Sequence, residues 1–100
     1  MKLKRVILVI EHPVRASILR LVLQTNGYRV LTAGDAAEIP TWEGIDLAVI
    51  GHRMKLDEGE IPVDLPSLRL RPDMGVQQML ERIRILVVRK RGPKPGKVAA

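Results

Sequence analysis

Apolar runs separated by polar turns dominate the first half of the chain. Two such runs, over residues 5–10 and 45–51, are short and largely uninterrupted by polar residues, and a third, mixed run lies over residues 28–32. Runs of this kind are typical of strands that are buried on both faces of a parallel sheet. They predict three parallel strands, and we expect the strand over residues 45–51 to be central, with the other two as its neighbours.

Helical spacing follows the first run. Pro13 suits the first helical position, and Gly27 can adopt the left-handed conformation that ends many helices. Apolar residues recur between them at i, i+4, i+7 and i+8: Val14, Ile18, Leu21 and Val22. This stripe predicts a helix that lies on the sheet through those residues. After the second strand, Asp35 can cap a short helix over residues 36–39, which Pro40 would end.

The pattern changes after Gly51. Residues 52–60 are polar, and residues 61–67 contain two prolines. No crossover separates that stretch from the alternating residues 68–71, so the two cannot be parallel neighbours. We therefore expect an extended lead-in followed by a fourth, edge strand. Pro72 and Asp73 then begin a last helix, whose predicted apolar face is Val76, Met79, Leu80, Ile83 and Val87. The whole pattern predicts an α/β chain with an open parallel sheet of about four strands and about three helices.

Composition limits the possible chemistry. A chain of 100 residues with a 46% hydrophobic fraction is enough for one domain. The sequence contains no cysteine, which excludes disulfide and thiolate chemistry and fits a reducing compartment. The first apolar run ends at Glu11, so it is too short for a signal peptide or a membrane span. We expect a soluble cytoplasmic protein with no membrane partner.

The positive charge is concentrated near the end of the chain. The net charge is +6, and five cations without an acid lie within residues 89–97. They are Arg89, Lys90, Arg91, Lys94 and Lys97. We divide the chain into a domain over residues 1–90 and a basic tail over residues 91–100, which we expect to be disordered. Such a tail could contact nucleic acid in a salt-dependent way, or it could simply keep the chain in solution.

Several motifs resemble, in order and spacing, the receiver domain of two-component response regulators. Glu11 follows the first strand, Arg15 lies on the first helix, and Gly-Tyr-x-Val opens the second strand at residues 27–30. Asp46 stands at the start of the third strand, and Arg71-Pro72 follows the last one. The similarity covers residues 3–60 and 68–91. It implies a flavodoxin-like, receiver-like open sheet and a role in two-component signal transduction.

The departures from that family change the expected function. Gly51 stands where the family has its phosphoacceptor Asp, the acid pair is reduced to Ile10 and Glu11, and the family's Lys is replaced by Arg71. Phosphoryl transfer needs a carboxylate nucleophile, a divalent ion and a cation for the developing charge. We therefore expect no enzymatic activity, no catalytic residue and no cofactor. A lone Glu11 is a candidate metal ligand, but a charged strand end is the commoner interpretation, so we predict no metal site.

Only 20 positions separate Gly51 from Arg71, so roughly one αβ unit of the family is missing. Its loss should expose apolar sheet surface and a strand edge, and self-association often covers such surfaces. We expect a homodimer whose contact involves Leu68, Leu70, Met79 and Ile83. The predicted function is a phosphorylation-independent signalling and protein-interaction module of the pseudo-receiver kind.

Two alternatives remain open. The first is a nucleic-acid-binding regulator that acts through the basic tail. The second is a residual phosphoacceptor that uses Glu11 or Asp46. His12 and His52 could also approach each other at the edge of the sheet, although two histidines without a third ligand make a poor zinc site.

Overall fold

The computed structural model describes residues 4–35, 38–39, 41–56 and 58–89. In these ranges the chain forms four strands and two helices, which confirms the predicted α/β class. The elements are β1 (Val6–Ile10), α1 (Pro13–Thr25), β2 (Arg29–Ala33), β3 (Leu47–Ile50), β4 (Ser67–Arg69) and α2 (Val76–Arg89), with a 3₁₀ turn at Glu58–Glu60. The prediction of about three helices is therefore one too many for the described ranges.

The predicted short helix after β2 falls partly outside the described residues. What is described there is the cap: the backbone amide of Glu38 donates to Asp35 Oδ1 at 3.2 Å and to the Asp35 carbonyl at 3.2 Å. Asp35 thus satisfies a backbone donor as an N-cap residue does.

All four strands are parallel, in the order β2-β1-β3-β4. β1 lies between β2 and β3, so that Val9 faces Thr32 on one side and Val49 on the other. The prediction that β3 would lie between β1 and β2 is wrong. The α1 crossover returns β2 to the side of β1 that is opposite β3.

The two faces of the sheet are covered in different ways. On one face, Ile7 and Val9 of β1 belong to a buried cluster with Leu23 of α1 and Ile83 of α2. On the other face, the connections before and after β3 cover the strands. Leu8, Ile10, Ala48 and Ile50 are buried there together with Ile45 and Leu65. The expectation that a missing helix would leave sheet surface bare is therefore wrong, because irregular chain covers it.

Helix α1 faces the sheet with a stripe that shares only Val22, partly buried against the core, with the predicted one. Ala16 and Leu23 are buried against the sheet, whereas Val14, Ile18 and Leu21 are 76%, 60% and 67% exposed. The predicted orientation of α1 is wrong because the helix carries two apolar stripes. The sheet-facing stripe contains the buried residues Ala16 and Leu23, beside the partly buried Leu19 and Val22.

The ends of α1 follow the sequence prediction. Pro13 is the first helical residue, and Gly27 has a φ of 92° after the cap residue Asn26. This is the left-handed conformation that glycine adopts without steric cost.

Helix α2 buries the predicted residues Met79, Ile83 and Val87, while Val76 is 52% exposed. Neither of the two described helices is long and apolar enough to cross a membrane.

Residues 61–66 contain no strand, as the prolines predicted. The side chain of Leu65 is buried, and the carbonyl of Pro66 accepts a hydrogen bond from the Ala48 amide at 3.1 Å. These contacts lead the chain into β4, which has three residues and forms one edge of the sheet.

Candidate functional site

The carboxyl ends of β1, β3 and β4 meet at one edge of the sheet, where functional groups of open parallel sheets usually lie. Glu11 follows β1, and Gly51 follows β3. The Glu11 amide donates to the Ala33 carbonyl at 3.0 Å, and the Gly51 amide donates to the Ile10 carbonyl at 2.9 Å. The backbone of both residues is thereby fixed to a neighbouring strand.

The side chain of Glu11 fills the space over Gly51. An ideal Cβ at position 51 would lie 2.5 Å from Cδ and 2.7 Å from Oε1 of Glu11, whereas real Cβ contacts essentially never fall below 3.0 Å. Glu11 is only 3% exposed, and its Oε1 accepts a hydrogen bond from the His12 amide at 2.9 Å. No side chain fits at position 51 while Glu11 keeps this position.

Asp46 lies at the opposite edge of the sheet. Its Oδ2 accepts a hydrogen bond from the Val6 amide at 2.8 Å, and its own amide donates to the Val6 carbonyl at 2.8 Å. Asp46 thus joins the beginnings of β1 and β3 through two hydrogen bonds with the Val6 backbone. Asp46 and Glu11, which stand at opposite ends of this strand pair, do not form one site.

The described residues offer no metal-binding cluster: no group of three or more histidine, cysteine, aspartate or glutamate side chains could hold an ion. His12 contacts Glu11 through its backbone amide, and His52 follows Gly51 in the chain. Divalent-ion sites need several oxygen ligands, and the three atoms nearest to a Cβ at Gly51 all belong to the single carboxylate of Glu11.

A cavity of about 420 Å³ opens beside Glu11, between the start of α1 and the segment that joins β4 to α2. Its polar lining consists of Glu11, Arg15, His52, Arg53 and Arg71. Its apolar lining includes Ile18, Leu19, Leu70, Met74, Val76 and Met79. Arg71, the predicted equivalent of the family's Lys, lies 3.6 Å from Asp73 in an exposed ion pair.

Three of the four residues predicted at a dimer contact lie in the interior. Leu68, Met79 and Ile83 are 7%, 3% and 0% exposed because they pack between the sheet and α2. Leu70 is partly buried and lines the cavity. A contact with a second copy therefore needs other side chains.

The predicted nucleic-acid contacts fall almost entirely outside the described residues. Lys90, Arg91, Lys94 and Lys97 lie beyond the described ranges, and Arg89 is the last residue of α2.

Sequence patterns alone missed two features of this edge. Arg53 was not singled out, although its position two residues after Gly51 already puts it at the carboxyl end of β3. The second feature is the packing of Glu11 over Gly51, which depends on strand register. Ile10 pairs with Ile50, so the residues after them, Glu11 and Gly51, become neighbours.

No protein-family model matches the chain, and no curated protein matches it.

Proposed function

We propose that this chain is a receiver-like module that acts by binding a protein without being phosphorylated. The partner that we favour is a second copy of the chain. The parallel order β2-β1-β3-β4 is consistent with the first four strands of a flavodoxin-like sheet. Gly51 supports the lack of phosphorylation, because it supplies no nucleophile. The Glu11 carboxyl group also fills the space that a side chain at that position would need.

The observation that carries the proposal is the outward face of α1. Val14, Ile18 and Leu21 lie within an arc of about 60° on this helix, roughly opposite Ala16 and Leu23. All three outward residues are at least 60% exposed. A helix that is apolar on two opposite faces is typically buried on both. We infer that a protein partner covers the second face.

The energy available from this face fits a weak, reversible contact. Complete burial of a Val, Leu or Ile side chain contributes about 1.5–3 kcal/mol, so the exposed parts of three such residues offer roughly 3–6 kcal/mol. A two-fold symmetric contact would use the face twice and double that amount. Association costs about 4–15 kcal/mol. One face alone barely offsets that cost. A symmetric pair offers roughly 6–12 kcal/mol and reaches micromolar affinity, about 8 kcal/mol net, when the association cost is near the lower end of its range.

Multi-angle light scattering over a micromolar concentration series tests this proposal. We expect the mass of the wild-type chain to rise toward that of a dimer and the Val14→Lys variant to remain a monomer. Val63→Lys is the matched control, because Val63 is fully exposed in the β3–β4 connection, away from α1. A wild-type chain that is monomeric at high micromolar concentration contradicts self-association, and so does a Val63→Lys variant that dissociates as Val14→Lys does.

Salt distinguishes a second copy from an acidic partner. Both charged residues of α1, Arg15 and Arg20, are cations. If α1 meets α1, added salt screens their repulsion and strengthens the dimer. If α1 instead meets an acidic partner, added salt weakens the complex.

A second candidate function is nucleic-acid binding through the basic tail. The observation that favours it is the run of five cations and no acid over residues 89–97. Cations in this number neutralise phosphates and release counterions, which makes binding strongly dependent on salt.

A further inference from the structure

We infer that the cavity beside Glu11 binds a small organic acid that has an apolar body and carries a hydroxyl group. This ligand site borders the outward face of α1, with which it shares Ile18, but its argument does not rest on the proposed protein contact. The inference is carried by the charges at the mouth of the cavity, by an unsatisfied buried oxygen, and by the apolar walls.

The charges around the cavity favour an anion. Arg15 comes from α1, Arg53 from the β3–β4 connection and Arg71 from the β4–α2 connection, and all three line the cavity. Within the described ranges, neither Arg15 nor Arg53 forms an ion pair, and Arg71 pairs only with the exposed Asp73. The one acid that lines the cavity is Glu11. The local charge is therefore positive.

Both helices add to that positive potential. The first turns of α1 and α2 border the cavity through Arg15 and Val76, and neither first turn contains an acidic residue. The N-cap residue of α1, His12, makes no side-chain cap hydrogen bond. Helix N-termini carry a partial positive charge and free amides, which attract anions.

The unsatisfied buried oxygen belongs to Glu11. Its Oε1 accepts the His12 amide, but its Oε2 has no hydrogen-bond donor among the residues that the structure describes. The side chain is only 3% exposed and lines the cavity. A buried oxygen without a donor is costly and rare. A ligand hydroxyl that reaches Glu11 would supply the missing hydrogen bond while the acid group binds the arginines.

The walls of the cavity are apolar on two sides. Ile18 and Leu19 of α1 stand on one side, and Met74, Val76 and Met79 of the β4–α2 segment stand on the other. A volume of about 420 Å³ falls in the range of pockets for small organic ligands. Apolar walls contribute nothing to inorganic phosphate, so they select an acid with an apolar body.

The four methionines of the chain allow a direct binding assay by NMR of ¹³C-labelled methyl groups. Met74 and Met79 line the cavity, whereas Met54 packs on the other face of the sheet and serves as an internal control. We expect phenyllactate to shift the Met74 and Met79 signals in a saturable way and to leave Met54 unchanged. Phenylpropionate, which lacks the hydroxyl, should bind more weakly, and phenethylamine and inorganic phosphate should bind least.

Variants test which groups hold the ligand. Arg53→Gln should weaken phenyllactate binding by about tenfold or more, because it removes a charge-assisted hydrogen bond. Arg29→Gln is the matched control, since Arg29 is exposed at the start of β2, on the opposite edge of the sheet, and should leave the affinity unchanged. Glu11→Met keeps the length of the side chain but removes the acceptor, so phenyllactate should lose its advantage over phenylpropionate.

Three results would overturn the inference. These are no shift of the Met74 and Met79 signals at millimolar phenyllactate, tighter binding of phenethylamine than of phenyllactate, and binding of inorganic phosphate as tight as that of phenyllactate. Equal effects of Arg53→Gln and Arg29→Gln would show a general surface attraction instead of a site.

Discussion

A single methyl group added at Gly51 should force Glu11 out of its buried position. Gly51 does not have the left-handed φ found at Gly27 and Gly44, so its backbone accepts alanine. The added Cβ, however, would lie within 2.7 Å of all three heavy atoms of the Glu11 carboxyl group. Gly51→Ala therefore tests packing against Glu11 and not backbone strain.

The expected cost follows from what Glu11 would lose. Moving the carboxyl group breaks its hydrogen bond with the His12 amide, and hydrogen bonds to charged groups contribute about 1.5–3 kcal/mol. Rehydration of the displaced carboxylate returns part of this. If Glu11 stays in place instead, overpacking costs about 1–3 kcal/mol. We expect Gly51→Ala to lower the free energy of unfolding by about 1–2 kcal/mol.

Removing Glu11 first should reverse the sign of the effect. In a Glu11→Ala background nothing opposes the new methyl group, and Gly→Ala replacements at compatible positions stabilise by about 0.4–1 kcal/mol. The two substitutions should therefore be coupled by about 1.5–3 kcal/mol. Urea unfolding of the wild type, both single variants and the double variant measures this coupling, with Trp42, the one tryptophan of the chain, as the fluorescent probe.

Gly59→Ala is the control for the intrinsic effect of the replacement. A Cβ at Gly59 would meet nothing within 4 Å, so this variant should stay within about 0.5 kcal/mol of the wild type. If Gly51→Ala destabilises the chain equally with and without Glu11, the packing argument is refuted.

Three further predictions concern the sheet, the core and the tail. Asp46→Ala should lower stability by about 1–3 kcal/mol, because the Val6 amide loses its acceptor; urea unfolding checks it, and an unchanged midpoint would contradict it. Ile83→Ala should cost about 2–5 kcal/mol, because Ile83 is fully buried; a loss below 1 kcal/mol in the same assay would contradict the described packing of α2. Deleting residues 90–100 leaves α2 complete and removes four of the five tail cations. In a filter-binding series this deletion should make the slope of log affinity against log salt shallower by about 3–4, and an unchanged slope would argue against nucleic-acid binding by the tail.

The succession of strands and helices along the chain was largely predictable because local sequence signals mark where most of these elements begin and end. Uninterrupted apolar runs predicted the buried strands β1 and β3, whereas β2, whose run contains Arg29 and Thr32, is a largely exposed edge strand. Pro13 and Gly27 predicted the two ends of α1. Prolines in residues 61–67 argued against a strand there, which holds for residues 61–66, whereas Ser67 already belongs to β4. These signals act over a few residues and do not depend on the rest of the fold.

Long-range packing was not predictable from the same patterns. Helix α1 has two apolar stripes, and only the packed structure decides that Ala16 and Leu23, not Val14 and Ile18, face the sheet. The position of β1 between β2 and β3 likewise depends on which side of the sheet the α1 crossover returns to.

The candidate site likewise combines a feature that local sequence predicts with features that depend on long-range packing. The sequence predicted that Gly51 leaves its position without a nucleophile. Strand register was needed to show that Glu11 fills that space, because Ile10 and Ile50 are paired across two separate strands. The cavity between α1 and the β4–α2 segment also depends on tertiary packing, which no local pattern reports.

Sedimentation equilibrium, measured with and without a small phosphodonor and magnesium, tests the central proposal most directly. We predict a reversible dimer whose dissociation constant is the same under both conditions and rises sharply in Leu21→Lys, since Leu21 lies on the exposed face of α1 and does not line the cavity. Intact mass of the same samples should show no added phosphoryl group. A dimer that forms only with the phosphodonor, or a chain that remains monomeric at high micromolar concentration, would contradict the proposal.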